Sequence, residues 1–187
     1  MNGIILTHGA GSNADSPLLL SLAKAFEAAG WKAMRYNLPY RQLRPTGPPI
    51  AAHAANDRAG LAEQVARLRA EVDGVVAAGG HSYGGRQASM LAAEQPGLID
   101  GLLLLSYPLH PPRKPQQLRT AHFAELQTPA LFIHGTRDPF ASIEELTAAL
   151  KEIPAKTAIL PQPGAGHELK GLDPAAVVGE FYGKLFK

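Results

Sequence analysis

Residues 80–84 read Gly-His-Ser-Tyr-Gly, directly between a short apolar stretch and a segment with helical spacing. Residues 75–78 predict a buried strand, and the apolar residues of 87–94 recur with the period of a helix. A sharp strand-to-helix turn strains the backbone at its serine, so the flanking residues must be small, as Gly80 and Gly84 are. The segment is typical of a nucleophile elbow with Ser82 as the nucleophile. The alternative is a glycine-rich turn in which Ser82 only caps the helix.

Predicted strands and helices alternate along the whole chain. The first predicted strand begins at Ile4, and the other five cover 32–36, 75–78, 101–106, 130–134 and 157–160. The helices run from 16 to about 30, from about 58 to 72, over 87–94, from 142 to about 150, and from 173 toward the end. Between 37 and about 55 we expect a long loop. This alternation predicts an α/β fold, a three-layer αβα sandwich of about six mostly parallel strands, in one domain spanning 1–187.

Composition narrows the class of protein. A length of 187 residues suits one domain, and the absence of cysteine excludes disulfides and thiolate chemistry. A net charge of +2 without basic blocks argues against nucleic acid as the main partner. The sequence shows no signal peptide and no run of transmembrane length, so we expect a cytoplasmic protein without a membrane partner. Its His, Asp and Glu residues lack metal-site spacing, so no metal is expected.

An acid and a histidine follow the last two predicted strands. Asp138 comes after the fifth strand, and His167 comes after the sixth within a glycine-rich segment. Loops after parallel strands share one edge of a sheet, so both side chains can converge on Ser82. A serine hydroxyl needs a base to accept its proton and a carboxylate to orient that base. The alternatives are a turn aspartate before Pro139 and a hydrogen-bonded loop histidine.

The elbow, with its catalytic residues in the order Ser82, Asp138, His167, resembles the α/β-hydrolase superfamily over nearly the whole chain. Within it, the chain looks similar to the small single-domain hydrolases related to dienelactone hydrolase. It departs from dienelactone hydrolase itself, which has a cysteine nucleophile. Only six of the family's usual eight strands are evident. The segment 107–128 is too short and too rich in proline for the large cap that many members carry.

The resemblance also implies an oxyanion hole of two backbone amides. One would come from Tyr83, which follows the nucleophile, and the other from the loop Thr7 to Ser12, where we favour Ala10 and keep Ser12 and Asn13 as alternatives. The same loop formally matches a dinucleotide fingerprint. We reject that interpretation because the helix begins later, at Ser16-Pro17, and because no acid follows the second strand.

Several basic and polar residues fall in loops expected around Ser82. The candidates for substrate binding are Tyr40, Arg41, His110 and Arg137, with Arg44, Arg113 and Lys114 nearby in sequence. They could attract an acyl substrate that carries a negative charge. The alternative is a solvated basic surface. Arg86, one turn into the elbow helix, is expected to anchor a loop or a carboxylate instead.

These observations predict a serine hydrolase that needs no cofactor and cleaves a small ester or thioester through an acyl-enzyme intermediate. Amide or lactone cleavage would use the same residues. The alternative from another class is a catalytically silent interaction or binding domain that keeps the α/β-hydrolase fold. A binding domain has no need for Ser82, Asp138 and His167 together, so the enzyme is favoured.

Overall fold

The computed structural model describes residues 1–187 and contains one sheet of six parallel strands with six α-helices. The strand order is β2-β1-β3-β4-β5-β6, so β2 and β6 form the two edges. The elements are β1 Gly3–Thr7, α1 Pro17–Ala28, β2 Lys32–Tyr36, α2 Pro39–Leu43, α3 Ala54–Glu71, β3 Val76–His81, α4 Tyr83–Glu94, β4 Gly101–Leu105, β5 Ala130–Gly135, α5 Ile143–Ala149, β6 Thr157–Gln162 and α6 Pro174–Phe186.

Helices cover both faces of the sheet, and the strand residues alternate between two cores. In β4, Leu102 and Leu104 pack in one core, which includes residues of α3, α4 and α5. Leu103 and Leu105 pack in the other core, which includes residues of α1 and α6. The run of leucines is therefore the pattern of a strand buried on both faces. The predicted three-layer αβα fold is confirmed.

Local capping chemistry sets several helix starts as the sequence predicted. The Ser16 side chain accepts from the Leu19 N–H ahead of α1, and Asp173 accepts from two amides at the start of α6. Ser142 and Glu145 form the reciprocal capping box of α5. Because α1 begins at Pro17 and not among the glycines before it, the dinucleotide interpretation has no structural support.

Several boundaries differ from the prediction: α3 begins at Ala54 and not at about 58, β6 continues beyond 160 to Gln162, and two more differences lie at the elbow. Strand β3 continues beyond 78 through Gly79 and Gly80 to His81, and α4 begins at Tyr83. A side chain on Gly79 would place its Cβ 1.9 Å from the Leu103 carbonyl oxygen, so these glycines are needed inside the sheet. The predicted loop 37–55 also contains the short helix α2 and a 3-10 turn at Ala51–His53.

The segment after β4 contains one 3-10 turn, Phe123–Glu125, and no α-helix before β5. The carboxyl ends of the central strands are therefore not covered by a helical cap. None of the helices combines the length and apolar character that crossing a bilayer requires.

Candidate active site

Ser82 occupies a strained position between β3 and α4. Its backbone has φ 49° and ψ −114°, and its side chain makes no capping hydrogen bond, so the interpretation as a simple helix cap is wrong. A Cβ at Gly80, where φ is 153°, would lie 2.1 Å from the Thr7 carbonyl oxygen. A Cβ at Gly84 would lie 2.4 Å from Thr7 Oγ1. The two glycines thus allow the elbow to pack against the end of β1.

The structure brings Ser82, His167 and Asp138 together in one hydrogen-bonded chain. The distance from Ser82 Oγ to His167 Nε2 is 2.9 Å, and His167 Nδ1 lies 2.8 Å from Asp138 Oδ2. A carboxylate can only accept, so Nδ1 carries the proton and Nε2 accepts from the serine hydroxyl. This arrangement can transfer the serine proton to the imidazole while the carboxylate orients the ring.

The Asp138 carboxylate has no exposed surface. Burial raises its pKa, but the hydrogen bond from His167, the N–H of Phe140 and the neighbouring histidines outweigh that effect and hold the pKa below its ordinary value. The Phe140 N–H donates to Asp138 Oδ1 at 2.8 Å. The aspartate therefore stays ionised beside the imidazole.

Three further side chains fix the position of His167. Its carbonyl oxygen accepts from Ser106 Oγ at 2.7 Å and from His81 Nε2 at 2.8 Å. The Phe140 ring lies over the imidazole with its centroid at 4.3 Å. Sequence reasoning missed these roles because the partners come from three different places in the chain: His81 ends β3, Ser106 follows β4 and Phe140 follows β5.

The loop after β1 is held by polar contacts to its carbonyl groups. Tyr40 Oη donates to the carbonyls of Gly9 and Ala10, at 3.1 and 2.9 Å. Arg41 donates to the carbonyls of Ala10 and Ser12, at 3.0 and 2.7 Å. The amides of Ala10 and Tyr83 donate to no protein acceptor, whereas the Ser12 amide donates to Gly9. Among the candidates for the second oxyanion amide, Ala10 and Asn13 are therefore unpaired and Ser12 is not.

The buried carboxylate of Asp57 links this loop to the elbow. Asp57 Oδ2 accepts from Tyr83 Oη at 2.7 Å, and Oδ1 accepts from the Tyr40 N–H at 3.0 Å. Burial, followed by the bond to Asp57, raises the pKa of Tyr83. Asp57 was not predicted, since in sequence it is one acid near the start of an amphipathic helix.

Two clefts open beside Ser82 and share Ala10, Ser82 and Phe140 in their linings. One has a volume of about 300 Å³ and is lined by Ala10, Pro49, Ala51, Ser82, Tyr83, Arg86, Pro108, Arg119 and Phe140. The other has a volume of about 410 Å³ and is lined by Gly9, Ala10, Gly11, Ser12, His81, Ser82, Phe140, His167 and Glu168. We call them the arginine cleft and the histidine cleft. Ser82 lines both clefts, so the two parts of a molecule bound at Ser82 could occupy one cleft each.

The four candidates for substrate binding line neither cleft. Tyr40 and Arg41 are buried and use their polar atoms on the loop after β1. His110 is buried against Glu145, with its Nε2 3.2 Å from the carboxylate. Arg137 is exposed outside the clefts. The loops that carry these residues were identified from sequence, but side-chain directions follow from packing that the sequence does not reveal.

No cluster of three or more His, Cys, Asp or Glu side chains is arranged to hold a metal ion. His134, which ends β5, is buried and donates from Nε2 to the Ala141 carbonyl at 2.9 Å. Its Nε2 lies 3.8 Å from Asp138 Oδ2, the oxygen that also accepts from His167 Nδ1.

Several solved structures share the fold of this chain. Dienelactone hydrolase from Anabaena variabilis is 20% identical, with a TM-score of 0.79 over 100% of this chain and 88% of that one. Est1E from Butyrivibrio proteoclasticus, bound to ferulic acid, is 17% identical with a TM-score of 0.78 over 100% and 90%. An alpha-beta serine hydrolase homologue from Coxiella burnetii is 19% identical with a TM-score of 0.71 over 99% and 83%.

Sequence identities of 17–20% to these structures establish the fold alone. The family assignment comes from a match between the sequence and a family model. The model of the alpha/beta hydrolase domain family matches residues 1–176, almost the entire chain. The predicted resemblance is confirmed: this chain belongs to the alpha/beta hydrolase family.

Proposed function

We propose that the chain is a cofactor-independent serine hydrolase that cleaves a small ester or thioester through an acyl-enzyme. The observation that carries this proposal is the pair of hydrogen bonds that join Ser82, His167 and Asp138, at 2.9 and 2.8 Å. Membership of a hydrolase family supports it. The ferulic acid bound to Est1E supports it further, since a carboxylic acid is what ester hydrolysis releases.

In the first half-reaction, Ser82 Oγ forms a bond to the acyl carbon while its proton passes to His167 Nε2. The carbonyl oxygen becomes an oxyanion, which the free amides of Tyr83 and Ala10 stabilise. The tetrahedral intermediate then expels the alcohol or thiol, which takes the proton from His167. Asp138 orients the ring and stabilises the imidazolium throughout.

In the second half-reaction, water attacks the acyl carbon and gives a proton to His167. The second tetrahedral intermediate expels Ser82 Oγ, which recovers that proton, and the carboxylic acid leaves. The absence of a helical cap above Ser82 fits a small substrate that enters from solvent.

A fluorophosphonate probe tests the proposal, because it labels only an activated serine. We expect the wild type to be labelled and Ser82→Ala to remain unlabelled. Asp138→Asn should slow labelling and the turnover of short-chain p-nitrophenyl esters by at least about 10³-fold, since the wrong imidazole tautomer would face Ser82. Asp73→Asn serves as the matched control, since it makes the same change at an exposed aspartate that precedes β3.

Equal labelling of wild type and Ser82→Ala would refute the enzyme and favour the silent binding domain. A folded wild type that neither reacts with the probe nor cleaves any ester or acyl thioester would do the same.

A further inference from the structure

The two clefts beside Ser82 differ in their relation to the catalytic base. His167 lines the histidine cleft and not the arginine cleft. In the proposed mechanism the imidazole gives its proton to the leaving group, so the leaving group must lie on the histidine side. The acyl portion then extends into the arginine cleft, past Tyr83. This assignment rests on the proposed function.

The arginine cleft contains two cations that no carboxylate neutralises. The arginines in the ion pairs of the chain are Arg35, Arg58 and Arg69, and neither Arg86 nor Arg119 is among them. The Nε of Arg86 is buried and has no hydrogen-bond partner. No carbonyl or carboxylate of the chain accepts from this guanidinium, and Arg86 lines the cleft, so its donors are available to an acceptor from outside the chain.

Hydrogen bonds to its backbone hold Arg119 in place. Its backbone N–H donates to the Leu109 carbonyl at 2.8 Å, and its own carbonyl accepts from Tyr107 Oη at 2.7 Å. Its guanidinium makes one hydrogen bond, at 3.2 Å to the carbonyl of Pro108. Burial and the positive charge of Arg86 both lower its pKa, which places the two cations within electrostatic reach of each other.

These observations distinguish Arg86 and Arg119 from a solvated basic surface. Both side chains are half-buried, and they line one cleft whose remaining wall is largely apolar, with Pro49, Ala51 and Pro108. The expected anchoring role of Arg86 is not observed. Glu94, which lies along α4 from Arg86, is instead paired with Arg58 at 2.8 Å.

We propose that Arg86 and Arg119 bind an anionic group on the acyl half of the substrate, so that the enzyme prefers half-esters or half-thioesters of short diacids. Guanidinium groups suit carboxylate and phosphate oxygens alike, because their planar donors match both. The apolar wall would contact the short carbon chain between the anion and the scissile carbonyl. A charge on the alcohol half would lie on the other side of Ser82 and gain nothing.

Turnover of three matched esters, followed by titration of the released acid, tests this assignment. Monoethyl glutarate carries the charge on the acyl half, O-butyryl glycolate carries it on the alcohol half, and ethyl butyrate is neutral. We expect kcat/KM for monoethyl glutarate to exceed that of the other two by at least about tenfold. Ethyl 4-phosphonobutyrate shows whether the site favours a phosphonate over a carboxylate.

The variants Arg86→Gln and Arg119→Gln should each reduce the ratio of kcat/KM between monoethyl glutarate and ethyl butyrate, and the double variant should abolish the preference. Arg67→Gln is the matched control, since Arg67 is exposed on α3, lines neither cleft and removes the same charge. Circular dichroism and thermal melting check that each variant folds.

A binding measurement separates this inference from the proposed function. Calorimetric titration of monoethyl glutarate into Ser82→Ala should detect binding that Ser82→Ala/Arg86→Gln loses. Binding to a wild type that neither cleaves any ester or acyl thioester nor reacts with the fluorophosphonate probe would refute hydrolysis and keep the anion site. Turnover with an equal preference for neutral and anionic acyl groups, or a preference that both arginine variants retain, would overturn the anion site while hydrolysis stands. A wild type that shows no binding, no cleavage of any ester or acyl thioester and no reaction with the probe would overturn both.

Discussion

The same chemical change, glycine to alanine within a helix, should have opposite effects at Gly84 in α4 and Gly179 in α6. In both helices the added methyl group reduces the conformational entropy of the unfolded chain, which favours folding by about 0.5–1 kcal/mol. Around Gly179 no atom beyond the adjacent residues and the backbone of its own helix lies within 4 Å of the added Cβ. Gly179→Ala should therefore raise the melting temperature by about 2–3 °C for a protein of this size.

At Gly84 the added Cβ meets atoms that cannot move independently. It would lie 2.4 Å from Thr7 Oγ1 and 2.6 Å from the His8 carbonyl oxygen, which also accepts the Gly84 N–H at 3.1 Å. Overpacking of this kind costs about 1–3 kcal/mol and exceeds the entropic gain, so Gly84→Ala should lose about 2 kcal/mol and melt several degrees lower. Relief of the overlap must push α4 away from the end of β1.

That displacement should also reduce catalysis, because His8 directly precedes the loop that holds the Ala10 amide. Turnover of a p-nitrophenyl ester should fall at least tenfold in Gly84→Ala and stay at the wild-type level in Gly179→Ala. Urea unfolding gives the free energies, and initial rates give the turnover. A Gly84→Ala protein as stable and as active as the wild type would show that the elbow does not need its close contact with β1.

Two further perturbations test the buried polar groups around the elbow. Asp57→Ala leaves Tyr83 Oη and the Tyr40 N–H without their acceptor, so urea unfolding should show a loss of about 3 kcal/mol, and an Asp57→Asn protein should retain more of that stability. Burial, with the charges of Arg86 and Arg58, lowers the pKa of His122 to about 4. Between pH 6.5 and 4 the unfolded chain therefore binds more protons than the folded chain, and the free energy of unfolding decreases as the pH is lowered. After allowance for its partial exposure, His122→Gln should recover about 1 kcal/mol of the stability that wild type loses between pH 7 and pH 5, and an unchanged pH slope would contradict this cause.

The sequence predicted the fold because the relevant signals are local. A buried parallel strand such as β4 appears as consecutive leucines, and the caps at Ser16, Ser142 and Asp173 act on their own helices. The chain order of Ser82, Asp138 and His167 could be interpreted because parallel strands deliver their following loops to one edge. In each case a short pattern is sufficient to identify a strand, the start of a helix or the loop that follows a strand.

The substrate-binding candidates show where this reasoning stops. Tyr40 and Arg41 have the chemistry of a ligand site, and they are close to Ser82 in space, but their donors are occupied by carbonyl groups of the loop after β1. Whether an arginine faces solvent, a carbonyl group or a cavity depends on contacts between residues about thirty positions apart or more. Arg86, one turn from Ser82, was assigned an anchoring role for the same reason.

The distribution of hydrogen bonds offers a physical distinction between the two kinds of arginine. Arg41 donates to the carbonyls of Ser12, Arg44, Ala10 and Gly47, so a substrate anion would have to compete with four protein acceptors. Arg86 has a buried Nε–H with no acceptor and donates to no carbonyl or carboxylate of the chain, so an anion there would compete with none of those groups. Binding energy is available only where the free protein leaves donors unpaired. The cost of that unpaired donor in the free protein is therefore itself an argument that Arg86 serves recognition and not stability.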